Sequence, residues 1–308
     1  MSTAFVFPGQ GSQSVGMGQA LAAAFPEAKA VFEAADDALG EKLSTLCFEG
    51  PEDKLKLTAN TQPAILTVSV AAHAVFSKRF GALPAFVAGH SLGEYSALVA
   101  SGALSLADAV RSVRARGTFM QEAVPPGVGA MAAVLGLPPE KIVEICAEAS
   151  QGEVVSAANF NEPNQTVIAG HVAAVERASV ALKAAGAKRV LPLPVSAPFH
   201  CALMQPVVPR LAEVLGTVRF NAPNAPVVSN VEAAANQDAS KIVALLLRQV
   251  VGSVRWVETV QALEKAGVTK IIELGPGKVL SGLVKRISPN VPCVNVEDPA
   301  SLEKALAS

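Results

Sequence analysis

A serine flanked by glycines offers the clearest chemistry in this sequence. Gly89-His90-Ser91-Leu92-Gly93 fits the pattern Gly-x-Ser-x-Gly, which can form a sharp strand-to-helix turn that exposes the serine. An apolar run, FVAG, leads into this turn, and a helical run, LGEYSALVA, follows it. A serine at a helix N-terminus is surrounded by backbone N–H groups that favour negative charge. Ser91 is therefore the candidate nucleophile, and the alternative is an ordinary glycine-rich turn with a helix-capping serine.

A serine nucleophile needs a base, and the sequence contains four histidines. His73 lies in an apolar helical run and is predicted to pack in the core. His90 is the neighbour of Ser91, and neighbours in a tight turn point apart. His171 begins a helix, where a cap or a surface position explains it. His200 follows the irregular segment PVSAPF; because loops that rejoin a main domain often border a cleft, His200 is the preferred base.

The helix predicted to begin after Ser105 carries three arginines at different angles. An apolar stripe runs along this helix, formed by Leu106, Val110, Val113 and Met120. Arg111 points almost opposite the stripe and Arg114 lies well off it, whereas Arg116 lies at its edge. A guanidinium at that edge could reach an interior cleft and bind a carboxylate through two hydrogen bonds. It could equally extend past the core to solvent, and the residues alone leave both interpretations open.

Short apolar runs alternate with helical runs along most of the chain, which is typical of an α/β protein with a mostly parallel sheet. Strands are predicted at 4–7 and 85–89, and helices at 58–80 and 92–100. A turn is predicted at Gly275-Pro276-Gly277.

The middle of the chain has a different order of elements. Predicted strands lie at 129–135, 153–159, 165–169 and 188–191, and predicted helices lie at 138–149 and 173–185. The resulting order, βαββαβ, is ferredoxin-like. We therefore predict a large α/β-hydrolase-like catalytic domain from residues 1–125 and 195–308, with an inserted ferredoxin-like small domain at 126–194.

Composition argues against several classes of function. The 308 residues have a net charge of −1, and 51% are hydrophobic, which indicates a globular protein and not a nucleic-acid binder. The N-terminus, MSTAFVFPGQ, lacks the pattern of a secretory signal, and no apolar stretch reaches the roughly 18 residues of a membrane span. The four cysteines lack metal-site or disulfide spacing, so we expect no metal and a cytoplasmic location. Cys201, beside His200, is a weaker candidate nucleophile than Ser91.

Three motifs together resemble one known family. They are FPGQGSQ at 7–13, GHSLGEY at 89–95 and APFH at 197–200, and they resemble the malonyl-CoA:acyl carrier protein transacylases of type II fatty-acid synthesis. The resemblance covers the whole chain, through NEPNQTVIAG to IIELGPGKVL. It implies an acyltransferase that moves malonyl from malonyl-CoA to the phosphopantetheine thiol of acyl carrier protein. The expected route is a malonyl-serine intermediate with ping-pong kinetics.

The resemblance also implies roles in catalysis. Ser91 would accept the acyl group and His200 would be its general base. The backbone carbonyl of Gln249 would orient the histidine, in place of an aspartate. The backbone N–H groups of Gln10 and Leu92 would form the oxyanion hole.

Roles in substrate recognition are implied for further residues. Arg116 would bind the free carboxylate of malonate, and Met120 and Phe199 would line the acyl pocket, with simple packing as the alternative for these last two. Asn159 and Gln165 match positions in the family, but the sequence assigns them no chemistry.

The resemblance implies no cofactor, because the coenzyme A thioester is itself a substrate. The expected partners are malonyl-CoA and holo-acyl carrier protein, without nucleic acid or membrane, and the enzyme is expected to be a monomer. Carrier proteins are acidic, so Lys188-Arg189 and Lys285-Arg286 are candidate docking pairs, although solvated surface charge would also explain them. The alternatives are a polyketide-type malonyl acyltransferase, a serine esterase or thioesterase, and a noncatalytic acyl-binding module.

Overall fold

The computed structural model describes residues 2–195 and 197–308. Its ten strands form two separate sheets. In chain order they are β1 (Thr3–Phe7), β2 (Phe86–Gly89), β3 (Gly129–Leu135), β4 (Val155–Glu162), β5 (Gln165–His171), β6 (Arg189–Pro192), β7 (Val227–Val228), β8 (Ala235–Asn236), β9 (Lys270–Leu274) and β10 (Cys293–Val296).

Helices connect most of these strands. In chain order they are α1 (Gln19–Ala24), α2 (Pro26–Leu39), α3 (Leu43–Glu49), α4 (Glu52–Leu55), α5 (Thr58–Phe80), α6 (Gly93–Ala100), α7 (Leu106–Glu122), α8 (Pro139–Ser150), α9 (Val172–Ala184), α10 (Val207–Gly216), α11 (Ala239–Val251), α12 (Trp256–Lys265), α13 (Val279–Ile287) and α14 (Pro299–Ala307). A short 3₁₀ helix spans Ala202–Met204. Among the described residues, no helix combines the length and apolar character that a membrane crossing would need.

The larger sheet is mostly parallel and has the strand order β10-β9-β1-β2-β7-β8. Only the β7–β8 pair at its edge is antiparallel. Alternate residues of β1 pack into two different hydrophobic clusters, so this central strand is covered on both faces and all five of its residues are buried. Phe5 and Phe7 face a cluster that includes α5, whereas Ala4 and Val6 face α12 and α13. Burial on both faces explains why the strand is a continuous apolar run.

The smaller sheet is antiparallel, with the order β4-β5-β3-β6. One of its faces packs against α8 and α9, and the alternate residues of the same strands join the core of the larger sheet. Residues just after α11 attach the two parts, because Val254 N–H donates to Ala158 O and Phe160 N–H donates to Val254 O, both at 2.9 Å. The smaller sheet is therefore held against the carboxyl-terminal end of α11.

Most sequence-based element assignments are confirmed. The helix predicted at 58–80 and the strand predicted at 129–135 have those bounds in the structure. The strand predicted to end at Asn159 continues to Glu162, because it pairs with β5 through two irregularities in register. A mixed α/β fold with a mostly parallel sheet and a separate antiparallel sheet is thus observed.

Candidate active site

The nucleophile turn depends on glycines at both flanking positions. Ser91 has φ of 51°, in the left-handed region that non-glycine residues seldom adopt. A Cβ on Gly89 would lie 1.9 Å from Gly93 C, and a Cβ on Gly93 would lie 2.1 Å from Phe7 O. Side chains at these two positions would therefore separate the turn from the ends of β1 and β2. The sequence folds here into a tight strand–turn–helix unit that projects Ser91 from the edge of the sheet.

Ser91 and His200 meet through a short hydrogen bond. Ser91 Oγ lies 2.7 Å from His200 Nε2, and His200 Nδ1 lies 2.9 Å from the main-chain oxygen of Gln249. A carbonyl oxygen only accepts, so Nδ1 carries the hydrogen and Nε2 presents a lone pair to Ser91. His200 is held in a left-handed backbone conformation, with φ of 59°. This arrangement can serve as a nucleophile, a base and a carbonyl that orients the base.

Burial keeps the imidazole of His200 neutral. His200 is 4% exposed, and desolvation, together with the positive charge of Arg116, lowers its pKa to about 3. The hydrogen bond to Gln249 O favours the protonated ring but is outweighed. His200 is therefore available as a proton acceptor at neutral pH.

The other histidines are engaged elsewhere. His73 packs edge-on against Phe5 and Phe7, and burial lowers its pKa to about 4. His90 Nε2 bonds Asn161 Oδ1 at 2.8 Å. His171 stands at the N-cap of α9 without a side-chain capping hydrogen bond, and its Nδ1 accepts from the N–H of Val154, just before β4.

Cys201 follows His200 in the sequence, but its thiol is poorly suited to act as a nucleophile. Its thiol is buried and donates to Pro198 O at 3.1 Å. Burial raises its pKa to about 11, so little thiolate forms at neutral pH. The structure thus gives no support to Cys201 as the nucleophile.

Arg116 is buried, and its guanidinium reaches the nucleophile. The residue is 1% exposed; its Nη2 lies 3.2 Å from Ser91 Oγ and 2.9 Å from Gln249 Oε1, and its Nη1 lies 2.8 Å from Gln62 Oε1. Its Nε has no hydrogen-bond partner among the described residues. These partners are neutral oxygens, so the guanidinium can still take up an anionic group.

A close helix crossing places Arg116 in the interior. A Cβ on Gly117 would lie 2.6 Å from Thr58 O, so α7 and α5 approach each other closely beside Arg116. The other two arginines of α7 point outward, as the helical stripe predicts. Arg111 bonds Asp108, and Arg114 bonds Asn60 and Glu41.

The predicted residues surround a cavity of about 470 Å³, a size typical of small-molecule sites. Those that line it are Gln10, Ser91, Leu92, Arg116, Met120, Phe199 and His200. Gln249 lies behind them and is fully buried. The smaller sheet contributes part of the wall through Met131, Asn159, Asn161 and Val167. Gln165 is paired in β5 and does not line the cavity in the described part of the chain.

The two backbone groups predicted to form an oxyanion hole lie at the ends of neighbouring strands. Gln10 follows β1, and Leu92 is the N-cap residue of α6, just after β2. The loops touch, since a Cβ on Gly9 would lie 2.4 Å from His90 O. The N–H of Ser91 itself is taken, because it donates to Asn230 Oδ1 at 2.7 Å.

Sequence reasoning missed a buried polar network behind Ser91. Glu94 Oε2 accepts from Asn230 N–H at 3.0 Å and from Gln249 Nε2 at 2.8 Å. Gln249 Nε2 also donates to Ser91 O at 3.0 Å, and Asn230 Nδ2 donates to Gly89 O at 2.6 Å. Glu94 lies within the motif GHSLGEY, and that motif could have identified it. No sequence pattern indicated Asn230, because it follows the two-residue strand β7.

The candidate docking pairs lie outside the cavity lining of the described residues. Lys188 packs over Gly136, and Arg286 forms an ion pair with Glu162 at 3.0 Å. Lys56, which the sequence did not single out, lines the cavity and pairs with Glu52 at 2.7 Å.

Comparisons with known proteins agree on one family. The family model for the acyl transferase domain matches residues 4–291. The chain is 52% identical over 303 residues to the malonyl CoA-acyl carrier protein transacylase of Salmonella typhimurium, covering 98% of each chain.

Solved structures of similar proteins cover the whole chain. An acyl carrier protein S-malonyltransferase from Vibrio cholerae is 51% identical with a TM-score of 0.97, over 99% of this chain and 100% of the other. A malonyl-transacylase solved in complex with a type II PKS acyl-carrier protein is 50% identical, also with a TM-score of 0.97, over 100% of this chain and 99% of the other.

Proposed function

We infer the function of this chain from its family, because it belongs to the acyl transferases and within them to the malonyl CoA-acyl carrier protein transacylases. We propose that it moves a malonyl group from malonyl-CoA to acyl carrier protein through an ester on Ser91. One observation carries the proposal: His200 Nε2 and Arg116 Nη2 both contact Ser91 Oγ, at 2.7 and 3.2 Å. A base and a buried cation at one oxygen suit an acyl donor that carries its own carboxylate. The product supplies extender units for fatty-acid synthesis.

The first half-reaction acylates the serine. As Ser91 Oγ bonds to the thioester carbonyl carbon, its proton passes to His200 Nε2. The negative charge that develops on the carbonyl oxygen is stabilised by the N–H groups of Gln10 and Leu92. The carbon–sulfur bond then breaks, and His200 returns the proton to the sulfur of coenzyme A. Loss of one oxyanion-hole donor costs roughly 10²–10³ in rate in other enzymes.

Arg116 selects the acyl group in this proposal. Its guanidinium is buried among neutral oxygens, so an incoming carboxylate supplies the missing negative charge. The malonyl carboxylate therefore fixes the acyl group with its thioester carbonyl beside Ser91. Met120 and Phe199 complete the acyl pocket, and their contacts with the cavity support that role.

The second half-reaction repeats the same chemistry with a different thiol. The phosphopantetheine thiol of acyl carrier protein gives its proton to His200 as its sulfur attacks the ester. The bond between the acyl carbon and Ser91 Oγ breaks, and the proton returns to Ser91. Because both half-reactions use one site, the kinetics are ping-pong. No cofactor takes part, since coenzyme A enters only as the substrate thioester.

Mass spectrometry of the quenched enzyme tests this function. Wild-type protein mixed with malonyl-CoA and stopped in acid should gain the mass of one malonyl group, and holo-acyl carrier protein should remove it. Ser91→Ala should gain nothing. Release of free malonate without an adduct would instead indicate an esterase or thioesterase, and no reaction would indicate a binding module.

A polyketide carrier is the second candidate acceptor. It is favoured by the similarity to the malonyl-transacylase solved with a type II PKS acyl-carrier protein. Discharge of the malonyl-enzyme by a fatty-acid carrier protein and by a polyketide carrier protein, measured side by side, separates the two. We expect faster transfer to the fatty-acid carrier; the opposite order would assign the enzyme to polyketide synthesis.

The carrier protein would dock through basic side chains. Lys188-Arg189 and Lys285-Arg286 are exposed and suit an acidic partner. Charge reversal at either pair should raise the KM for carrier protein and weaken its dependence on salt. A KM that stays unchanged would leave that pair as ordinary surface charge.

We also propose that the fold consists of two domains of known types. The order β4-β5-β3-β6 with α8 and α9 on one face supports a ferredoxin-like small domain at 126–194. The parallel sheet and its serine turn support an α/β-hydrolase-like large domain from 1–125 and 195–308. We also propose that the enzyme acts as a monomer in the cytoplasm, which sedimentation and cell fractionation would test.

A further inference from the structure

The carboxyl group of Glu94 lies behind the nucleophile turn, where it cannot touch substrate. Glu94 is the second residue of α6 and is 3% exposed. Within the described residues it does not line the cavity. Its Oε2 accepts two hydrogen bonds, from Gln249 Nε2 at 2.8 Å and from Asn230 N–H at 3.0 Å. A buried carboxyl group that accepts hydrogen bonds from two other residues needs an explanation beyond packing.

Gln249 links the carboxyl group of Glu94 to both Arg116 and His200. Its side-chain Nε2 faces Glu94, its side-chain Oε1 faces Arg116 at 2.9 Å, and its main-chain oxygen faces His200 Nδ1 at 2.9 Å. The side-chain amide has two opposite orientations of nearly equal shape. In the other orientation, the NH₂ group would face the N–H groups of Arg116, and two donors would oppose each other. Two acceptors favour the observed orientation, Glu94 Oε2 at 2.8 Å and Ser91 O at 3.0 Å from Gln249 Nε2, and Glu94 is the one that a side-chain substitution can remove.

We propose that Glu94 is a positioning residue that fixes the amide orientation of Gln249, so that Gln249 Oε1 holds Arg116 in place to bind the acyl carboxylate. The inference rests on the proposed function, because it concerns selection of a carboxylate-bearing acyl group. Glu94 thereby contributes to specificity without touching the substrate. Its effect is transmitted by one amide over two hydrogen bonds.

The second hydrogen bond of Glu94 has a separate, general effect. Asn230 holds both sides of the nucleophile turn, through Ser91 N–H at 2.7 Å and Gly89 O at 2.6 Å. Losing the Glu94 acceptor should therefore slow acylation by any acyl group to some extent. Among the hydrogen bonds of the described residues, the amide of Gln249 joins Glu94 to Arg116, so the ratio of rates for two acyl groups reports the proposed role. Glu94→Gln controls for the charge of Glu94, which also acts on Arg116 directly.

The ionisation of Glu94 suggests the matched variants. Burial raises its pKa to about 7, against the hydrogen bonds and the Arg116 charge that lower it. An acceptor oxygen is present in either protonation state. Glu94→Gln keeps an acceptor of the same shape, whereas Glu94→Met keeps the volume and removes the acceptor.

Single-turnover acylation of Ser91 by malonyl-CoA and by acetyl-CoA tests the inference. In Glu94→Met, the malonyl-to-acetyl rate ratio should fall about tenfold or more, the scale of one buried donor left without a partner. In Glu94→Gln it should stay within about threefold of wild type. The ratio is measured within each protein, so a lower folded fraction does not change it.

Gln249→Met provides a second route if Glu94→Met fails to fold. It keeps the main-chain oxygen that bonds His200 and removes the amide, so the rate ratio should fall similarly. An unchanged ratio in the folded Met variants, or a fall in Glu94→Gln as large as in Glu94→Met, would overturn the inference. A wild-type protein that takes up no malonyl group would overturn the proposed function as well.

Discussion

The two sheets border the same cavity with different kinds of residue. The parallel sheet supplies groups that can react or stabilise charge, because Gln10 and Ser91 follow its adjacent strands β1 and β2. Asn230, after the next strand β7, holds the turn of Ser91 from behind. The antiparallel sheet supplies wall residues, such as Met131 and Val167, which offer shape but no nucleophile or base.

This difference follows from how each sheet is built. Parallel strands end at one edge, where loops and a helix N-terminus converge, and a buried network fixes the turn there. The antiparallel sheet instead turns one apolar face toward the larger core and the other toward α8 and α9. Changes near the parallel edge should therefore abolish the chemistry, whereas changes on the antiparallel wall should alter which acyl groups fit.

The largest contrast is expected between two histidines. His200 follows β6 and meets Ser91 at the edge of the parallel sheet. His200→Ala removes this candidate base and should lower kcat for malonyl transfer by roughly 10⁶-fold, as in other serine enzymes whose members act as a unit. His171→Ala, in the antiparallel part, should leave kcat within about twofold, because the His171 ring bonds the N–H of Val154 and does not line the cavity formed by the described residues. Steady-state transfer assays on both proteins provide the measurement. Comparable losses of kcat in the two variants would contradict the proposed difference in role between the two sheets.

A second contrast concerns the backbone of the turn. Gly93→Ala would put a Cβ 2.1 Å from Phe7 O, so we expect a loss of about 3 kcal/mol or more in the free energy of unfolding, the scale of a forced clash in a packed site. Gly216→Ala, at the end of α10, meets nothing within 4 Å and should be neutral or stabilising by up to about 1 kcal/mol. Urea unfolding of both variants measures this. A Gly93→Ala protein as stable as Gly216→Ala would contradict the described packing.

A wall residue should have a smaller and more selective effect. Val167→Ala enlarges the cavity from the antiparallel side, so kcat/KM for malonyl-CoA should change by less than about fivefold while the value for a bulkier methylmalonyl donor rises. Rates with the two donors, compared as a ratio, measure the effect. A fall as deep as that of His200→Ala would show that the wall contributes more than shape.

The smallest effect is expected from pH. Because the pKa of His200 is lowered to about 3, its base form persists above that value and is lost only as the pH falls through it. We therefore expect kcat/KM for malonyl-CoA to change by less than about twofold between pH 7.0 and 5.5. A histidine with the ordinary pKa of about 6.5 would lose roughly tenfold at the lower pH. Glu94, with a pKa of about 7, titrates in the same window, so Glu94→Gln is the control. A loss of that size that persists in Glu94→Gln would show that the imidazole is not desolvated in the free enzyme.

Local patterns predicted much of this fold. The helix Thr58–Phe80 is a long apolar run ended by Gly81 in a left-handed conformation, and such a boundary is visible in sequence. Strand β7 has two residues and depends on pairing with β2 and β8, so no periodicity could reveal it. For the same reason, the position of Asn230 behind Ser91 could not be predicted.

The residues of the site also differ in how far the sequence could predict their positions. The turn around Ser91 is local and could be read from its glycines and flanking elements. The approach of Arg116 to Ser91 needs a helix crossing at Gly117, which helical periodicity suggested but could not decide. Contacts such as Glu94 with Gln249, 155 residues apart, exist only after the chain has folded.

The role of Arg116 can be measured as the enzyme's selectivity between two acyl donors. We propose that the positive charge of Arg116 beside Ser91 Oγ selects a carboxylate-bearing acyl group. In Arg116→Ala, acylation by malonyl-CoA should fall by at least about 10²-fold, whereas acylation by acetyl-CoA should be retained or should rise. The quenched-mass assay with both donors gives the two rates in one protein. An Arg116→Ala enzyme that still prefers malonyl-CoA as strongly as wild type would contradict the account.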